Sequence, residues 1–192
     1  QMVITVRGTA DGKDVLADLG AHPLFYDPLG LAGPDAAREE PFNDDTDFFV
    51  HGTVLTCAMD AWSRLQEKHV LDDVLRPQCR AHGYRIVCVG HSLGAGIACL
   101  LAFQLRATFP PAQEVQYLGF ECPGGLLSKC LARETQRLGW LSVACAHDWV
   151  PRMSVKNLQK VKNQVLDELA SCDRSKLQLL ALLAGGFCRQ LF

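Results

Sequence analysis

No two of the nine cysteines stand in C-x-x-C spacing and the six histidines are scattered, so nothing gathers the ligands of a structural zinc site. No structural metal is expected. The odd cysteine count argues equally against a disulfide framework. Cys88, Cys99 and Cys145 lie inside apolar runs, where they read as small buried hydrophobes in a protein kept reduced. An excess of charge of one sign is also missing. With 19 basic and 21 acidic residues the formal net charge is −2, too balanced for a polyanion binder, and no nucleic-acid partner is expected. Uninterrupted apolar runs of the roughly 18–20 residues that span a membrane do not occur, and the N-terminus lacks the charged-then-apolar order of a signal peptide. The segment itself is therefore expected to be soluble. There is no G-x-G-x-x-G order, no Walker lysine, no EF-hand loop and no internal repeat.

What is there is a chain of 192 residues, 48% hydrophobic and 21% charged, enough for one domain at about 100–200 residues each. It opens on Gln1 and runs at once into the β-rich residues 2–6. That run reads as a buried strand with nothing before it, which suggests a piece of a longer protein. Arg7-Gly8-Thr9 follows, with the glycine allowing a sharp turn. A polar helical turn is expected around residues 13–19. Residues 21–47 are rich in proline and turn-formers and read as a long excursion with little regular structure. This excursion and its exit carry Leu24, Phe25, Tyr26, Leu29, Leu31, Phe48 and Phe49, so it is either a lid or acyl-chain entrance, or a loop pinned to the core by its aromatics.

From residue 50 to about 79, apolar residues including Val54, Ala58, Trp62, Leu65 and Leu75 recur at helical spacing, giving one long or broken amphipathic helix that Gly83 ends. Residues 84–89 form a short, β-branched apolar run suited to a strand buried on both faces. A helix over 95–108 follows, stopped by Pro110 and Pro111. The pattern repeats with a strand at 115–120, a loop through Pro123-Gly124-Gly125, a helix near 126–138 and a strand at 141–146. The residues from Ser154 onward look helical and amphipathic. Strands alternating with helices of this length predict an α/β fold, a mostly parallel central sheet with helices on both faces.

The strand at 86–89 runs directly into Gly90-His91-Ser92-Leu93-Gly94 and then into a helix. That strand-to-helix setting is what a G-x-S-x-G nucleophile elbow requires. In such an elbow the serine is strained and the residues two before and two after it approach closely, a demand that Gly90 and Gly94 meet. The turn would expose the Ser92 hydroxyl at the carboxyl end of the sheet and at a helix N-terminus, where backbone N–H groups favour an oxyanion. Ala95, Gly96 and Ala98 let the helix pack on the sheet. The competing reading, a nucleotide-binding turn, lacks its own motif here.

Residues 86–101, reading IVCVGHSLGAGIACLL, resemble the nucleophile region of class 3 lipases, and the order of motifs around them is most similar to the diacylglycerol lipases. Arg7-Gly8-Thr9 resembles the family's RGT, His51-Gly52 its HG element, and Asp148-Trp149-Val150-Pro151-Arg152 its D-x-V-P-R segment. The resemblance implies an α/β-hydrolase catalytic domain over 1–192, expected to be incomplete at both ends. It implies that Thr9 lies in the oxyanion loop, its N–H partnering that of Leu93, because an acyl-transfer intermediate needs two donors on one oxygen. The alternative for Thr9 is a strand-end turn with a surface arginine. Asp148 would be the acid of a Ser, acid, His order and would orient the imidazole. Its alternative is a solvated turn aspartate, and Asp167 and Asp173 are weaker candidates.

No histidine follows His147. His147 adjoins Asp148 and would point away from it, His91 is directed elsewhere by the elbow, and His51 suits packing or loop anchoring. His22, His69 and His82 read as surface or loop residues. The resemblance points to a catalytic histidine beyond Phe192, so the segment is expected to stop before its general base and to have little activity alone.

The function expected is therefore a serine lipase cleaving an acyl ester of a glycerolipid through an acyl-Ser92 intermediate, with no cofactor for the chemistry. The resemblance implies diacylglycerol cut to monoacylglycerol and fatty acid, a membrane surface, and a parent protein with transmembrane helices upstream and a cytoplasmic catalytic domain. Triacylglycerol or phospholipid cleavage, acyl transfer to an alcohol, and a non-catalytic lipase-like module for lipid or a partner protein are the alternatives. Calcium dependence is implied only by the resemblance, and Asp44-Asp45-Asp47 reads equally as a solvated loop. Arg152, Lys156, Lys160 and Lys162 either face anionic lipid or line a solvated helix face.

Overall fold

Four β-rich runs separated by helix-length segments cannot pair as hairpins, and the long crossovers make them parallel neighbours. The computed structural model, described at residues 1–8, 22–31, 43–109, 114–152 and 154–172, has this arrangement. Strands β1 (Met2–Val6), β4 (Ile86–His91), β5 (Val115–Phe120) and β6 (Leu141–Val143) form a parallel sheet in the order β1-β4-β5-β6. The shorter strands β2 (Pro23–Phe25) and β3 (Phe49–His51) pair antiparallel in a second, two-stranded sheet.

Helix α1 (Gly52–Glu67) leaves β3 directly, and α2 (Arg76–His82) ends at Gly83, which caps it with φ 61°. The long amphipathic stretch is thus broken. His69 adopts left-handed backbone at φ 52° and a π-helical turn, Val70–Leu75, joins the two pieces. Val50 belongs to β3 rather than to that helix, because its partners lie far away in sequence: Leu24 across the small sheet and Leu127 through an isolated bridge.

Helix α3 (Leu93–Thr108) connects β4 to β5 and packs on the sheet, with α1 against it. On the sheet face toward α3, Ile86, Cys88, Val115 and Tyr117 are buried, while the residues alternating with them are only partly so. Phe103, Leu100 and Leu105 of α3 are fully buried. Phe103 meets Trp140 at 4.6 Å between ring centroids, and the indole N–H donates to Val115 O at 3.0 Å. Burying one such aromatic contributes about 1.5–3 kcal/mol, so this layer is the principal source of stability. Helix α4 (Lys129–Arg137) starts at Ser128, a fully buried hydroxyl that accepts from Leu131 N–H and from Phe49 N–H, tying α4 to β3.

The burial of several elements differs from the sequence expectation. In strand β1 one face is open: Val3 and Thr5 are exposed, Val3 at 56%, while Met2, Ile4 and Val6 on the other face are partly buried, instead of both faces being covered. Strand β6 ends at Val143, and Cys145, beyond it, is exposed. Cys88 and Cys99 are buried as expected. The excursion is held at both described ends. Tyr26 is buried and its hydroxyl donates to Leu100 O at 3.1 Å, while Asp45 meets Lys129 at 2.9 Å. The helical turn at 13–19 and the middle of the excursion lie outside the described residues.

The chain divides into two compact units, 1–155 and 156–192. In the second, nearly all of helix α5 (Val155–Ala170) is described, with Leu158, Val161, Val165, Leu166 and Leu169 exposed. No described helix is long and apolar enough to cross a membrane.

Candidate active site

Ser92 sits between β4 and α3 with φ 54° and ψ −130°, left-handed backbone that costs a non-glycine residue about 1–3 kcal/mol. Two features hold it there. Its N–H donates to Phe120 O at 2.9 Å, continuing the β4–β5 ladder, and its carbonyl accepts from Ala95 and Gly96 N–H at 2.8 and 3.3 Å, starting α3. A Cβ on Gly90 would overlap Gly94 O, so the strand and helix close on each other only because residue 90 has no side chain. A Cβ on Gly94 would lie 2.5 Å from Val6 O and 2.8 Å from Gly8 N.

That contact shows a role for Gly8 that sequence reading missed. Its φ is not in the left-handed region; a Cβ there would instead lie 2.8 Å from His91 O. Close approach, not a sharp turn, is what requires glycine, and it seats the Arg7-Gly8 backbone against the elbow. Thr9 lies outside the described residues. Leu93 is buried as the first residue of α3, where N-terminal backbone donors cluster.

Ser92 directly follows β4 and Asp148 lies five residues past β6, two strand positions along the sheet, so both stand beyond the carboxyl ends of their strands. The aspartate is half-buried. Its Oδ1 accepts from Val150 N–H at 2.8 Å and its own N–H donates to Cys145 O at 3.2 Å. Arg152 is exposed, yet it folds back on the turn. Its guanidinium donates to Ala146 O at 2.7 Å and Asp148 O at 3.1 Å, bracing the turn.

The histidines fall as their neighbours dictate. His91 and His147 are exposed, and His51 ends β3 with its N–H donating to Leu126 O, an anchoring position. Asp167 is exposed on α5, as are Lys156, Lys160 and Lys162, and Asp173 lies outside the described residues. Phe120, Val143 and Trp149 are exposed apolar side chains at the carboxyl end of the sheet, Trp149 at 61%. Exposed apolar surface of this kind is poorly solvated by water.

The Asp44-Asp45-Asp47 cluster does not fit a calcium site. Asp45 and Asp44 face Lys129 at 2.9 and 3.9 Å, Asp45 also faces Arg133 at 3.8 Å, and Asp47 accepts from Asn43 N–H and Thr46 Oγ1. Lys129 and Arg133 offset the charge of Asp44 and Asp45, and Asp47 is turned to Asn43 and Thr46.

A strained serine on a strand-to-helix elbow, with a carboxylate past another parallel strand of the same sheet, is the framework of an α/β-hydrolase. The sequence model of the family described as Lipase (class 3) matches residues 3–158. The chain belongs to the class 3 lipase family. It is 33% identical over 179 residues to diacylglycerol lipase-beta of Mus musculus, covering 93% of this chain and 24% of that protein. It is 30% identical over 182 residues to human diacylglycerol lipase-alpha, covering 94% and 16%. The chain thus spans a quarter or less of these curated relatives. Among solved structures, the triacylglyceride lipase of Rhizomucor miehei superposes with a TM-score of 0.55 at 21% identity, over 79% of this chain and 51% of that one. The mono- and diacylglycerol lipase of Aspergillus oryzae gives 0.52 at 23%, over 79% and 48%. At these identities the lipase structures establish the α/β-hydrolase fold.

Proposed function

We propose that this chain is the nucleophile-bearing part of a serine lipase that hydrolyses an acyl ester of a glycerolipid at a membrane surface, with diacylglycerol as substrate and monoacylglycerol and fatty acid as products. The observation that carries the reading is the positive-φ backbone of Ser92 between β4 and α3. Such strain persists only where surrounding structure enforces it.

In this scheme Ser92 Oγ attacks the carbonyl carbon while its proton passes to a histidine base, and the developing oxyanion is held by the N–H groups of Leu93 and Thr9. The ester C–O bond to the glycerol oxygen then breaks as the imidazolium returns the proton to that oxygen. Water, deprotonated by the same base, releases the fatty acid and restores Ser92. Asp148 orients the imidazole and stabilises its charged form. The base is proposed to come from sequence beyond Phe192, since the last histidine of the chain precedes Asp148. The 192 residues alone are then expected to turn over esters poorly. Exposed Phe120, Val143 and Trp149 suit an acyl substrate, and the curated relatives named diacylglycerol lipase favour diacylglycerol over other glycerolipids. A location at the cytoplasmic face of a membrane, with membrane-spanning segments outside this chain, is proposed from the resemblance to diacylglycerol lipases.

The test is hydrolysis of a dispersed diacylglycerol by the natural full-length protein, beside its S92A variant and the 192-residue chain. Turnover by the full-length protein alone is expected. Equal turnover by S92A would remove the nucleophile assignment, and equal turnover by the 192-residue chain would remove the downstream base. A well-folded full-length protein with no esterase activity on any glycerolipid would favour a lipase-like binding module.

A further inference from the structure

Glu121 is the first residue past β5 and has left-handed backbone at φ 51°, a conformation that glycine or asparagine would adopt at lower cost. Its side chain gives a reason for the strain. Glu121 Oε1 accepts from Cys145 N–H at 2.7 Å, its own N–H donates to Val143 O at 2.8 Å, and Oε2 is buried without a hydrogen bond. Cys145 O in turn accepts from Asp148 N–H, and Ser92 N–H donates to Phe120 O, one residue before Glu121. A continuous run of bonds and one peptide link therefore joins the elbow to the Asp148 turn. A second tie, Gly124 N–H to Val150 O at 3.2 Å, runs beside it.

From this we infer that Glu121 is a positioning residue. Its carboxylate clamps the turn over 145–148 and so sets Asp148 relative to Ser92. The proposal rests on the lipase reading for its catalytic consequence but not for the clamp itself. A charge-assisted bond to a backbone N–H is among the stronger ones, and β6 has only three residues with which to hold this turn otherwise.

E121G tests it without endangering the fold, because glycine relieves the strained φ while deleting the carboxylate; E121Q keeps the acceptor and removes only the charge. Amide hydrogen exchange is read over 143–148 in the 192-residue chain, and kcat and KM in the full-length protein. Exchange at Cys145 should speed about tenfold in E121G, with kcat falling about 10- to 100-fold at little-changed KM. E121Q should recover most of both losses, and E121G added to D148N should cost nothing further. Unchanged exchange in E121G overturns the clamp, whatever the kinetics. Faster exchange with unchanged kcat overturns the positioning role. A loss in E121Q as deep as in E121G, beside a mild D148N, would make Glu121 the acid itself and also defeat the proposal. A wild-type protein without ester turnover would sink the lipase reading, and the exchange result would then decide the clamp by itself.

Discussion

The elbow around Ser92 and the turn around Asp148 stand at the same end of the same sheet, yet they are held in opposite ways. The elbow is fixed by backbone meeting backbone: Gly8, Gly90 and Gly94 let strand, helix and β1 exit come within distances that any side chain would forbid. The turn is exposed, follows a three-residue edge strand, and is fixed by hydrogen bonds from Glu121 and Arg152. Steric closure leaves almost no freedom, whereas hydrogen bonds near water contribute about 0.5–1.5 kcal/mol each and can be undone singly. The proposed nucleophile, which must be strained, needs the first kind of support, and the proposed acid, which only orients a base, can rely on the second.

Substitutions should expose this contrast. The largest stability effect is expected at Gly90→Ala, where the new Cβ would collide with Gly94 O in a fully packed elbow. A loss of more than about 3 kcal/mol in denaturant unfolding is expected. Asp148→Asn should do the reverse, leaving stability within about 1 kcal/mol of wild type while lowering kcat of the full-length protein by about 10³- to 10⁴-fold. If Asp148→Asn unfolded the protein and Gly90→Ala did not, the comparison would be inverted. Ser92→Gly sharpens it further, since glycine accepts φ 54° without strain. This variant should lose all esterase activity and gain up to about 1 kcal/mol in stability.

The smallest effect concerns the sheet and helix beneath both regions. Burial pushes the Cys88 thiol up to about 12 and that of Cys122 up to about 11 from an ordinary value of 9.0, and raises Cys99 well above that value. Thiols whose pKa is raised on folding support the native state fully below pH 9. Their contribution fades as pH climbs from 9 toward 12, because the unfolded chain gives up those protons first. Thermal melts at pH 8, 9 and 10 should show a modest, progressive fall in Tm only in the upper part of that range. Replacing Cys88 and Cys99 by alanine should flatten it, whereas an undiminished slope in that variant would place its origin elsewhere.

The same contrast explains what the sequence disclosed. The elbow is local: strand, glycines, serine and helix are contiguous, so residues 84–108 could be read with boundaries off by only two residues. Strand β5 was legible for the same reason. Where structure depends on partners distant in sequence, local pattern misled. Val50 stands at helical spacing from Val54 and Ala58 but pairs with Leu24 and Leu127, and Cys145 lies in an apolar run but gives its N–H to Glu121. Asp148 was singled out by resemblance to class 3 lipases rather than by local pattern. The bonds that set its turn were not, since Glu121 lies 24 residues before Cys145 and carries no motif.

The proposal that everything else depends on is that Ser92 is a working nucleophile. Intact-mass analysis after exposure of the full-length protein to a fluorophosphonate probe tests it directly. The account predicts one adduct, mapped by peptide mass to Ser92 and absent from S92A. An adduct that persists in S92A, or a folded protein that takes up no probe, would contradict it.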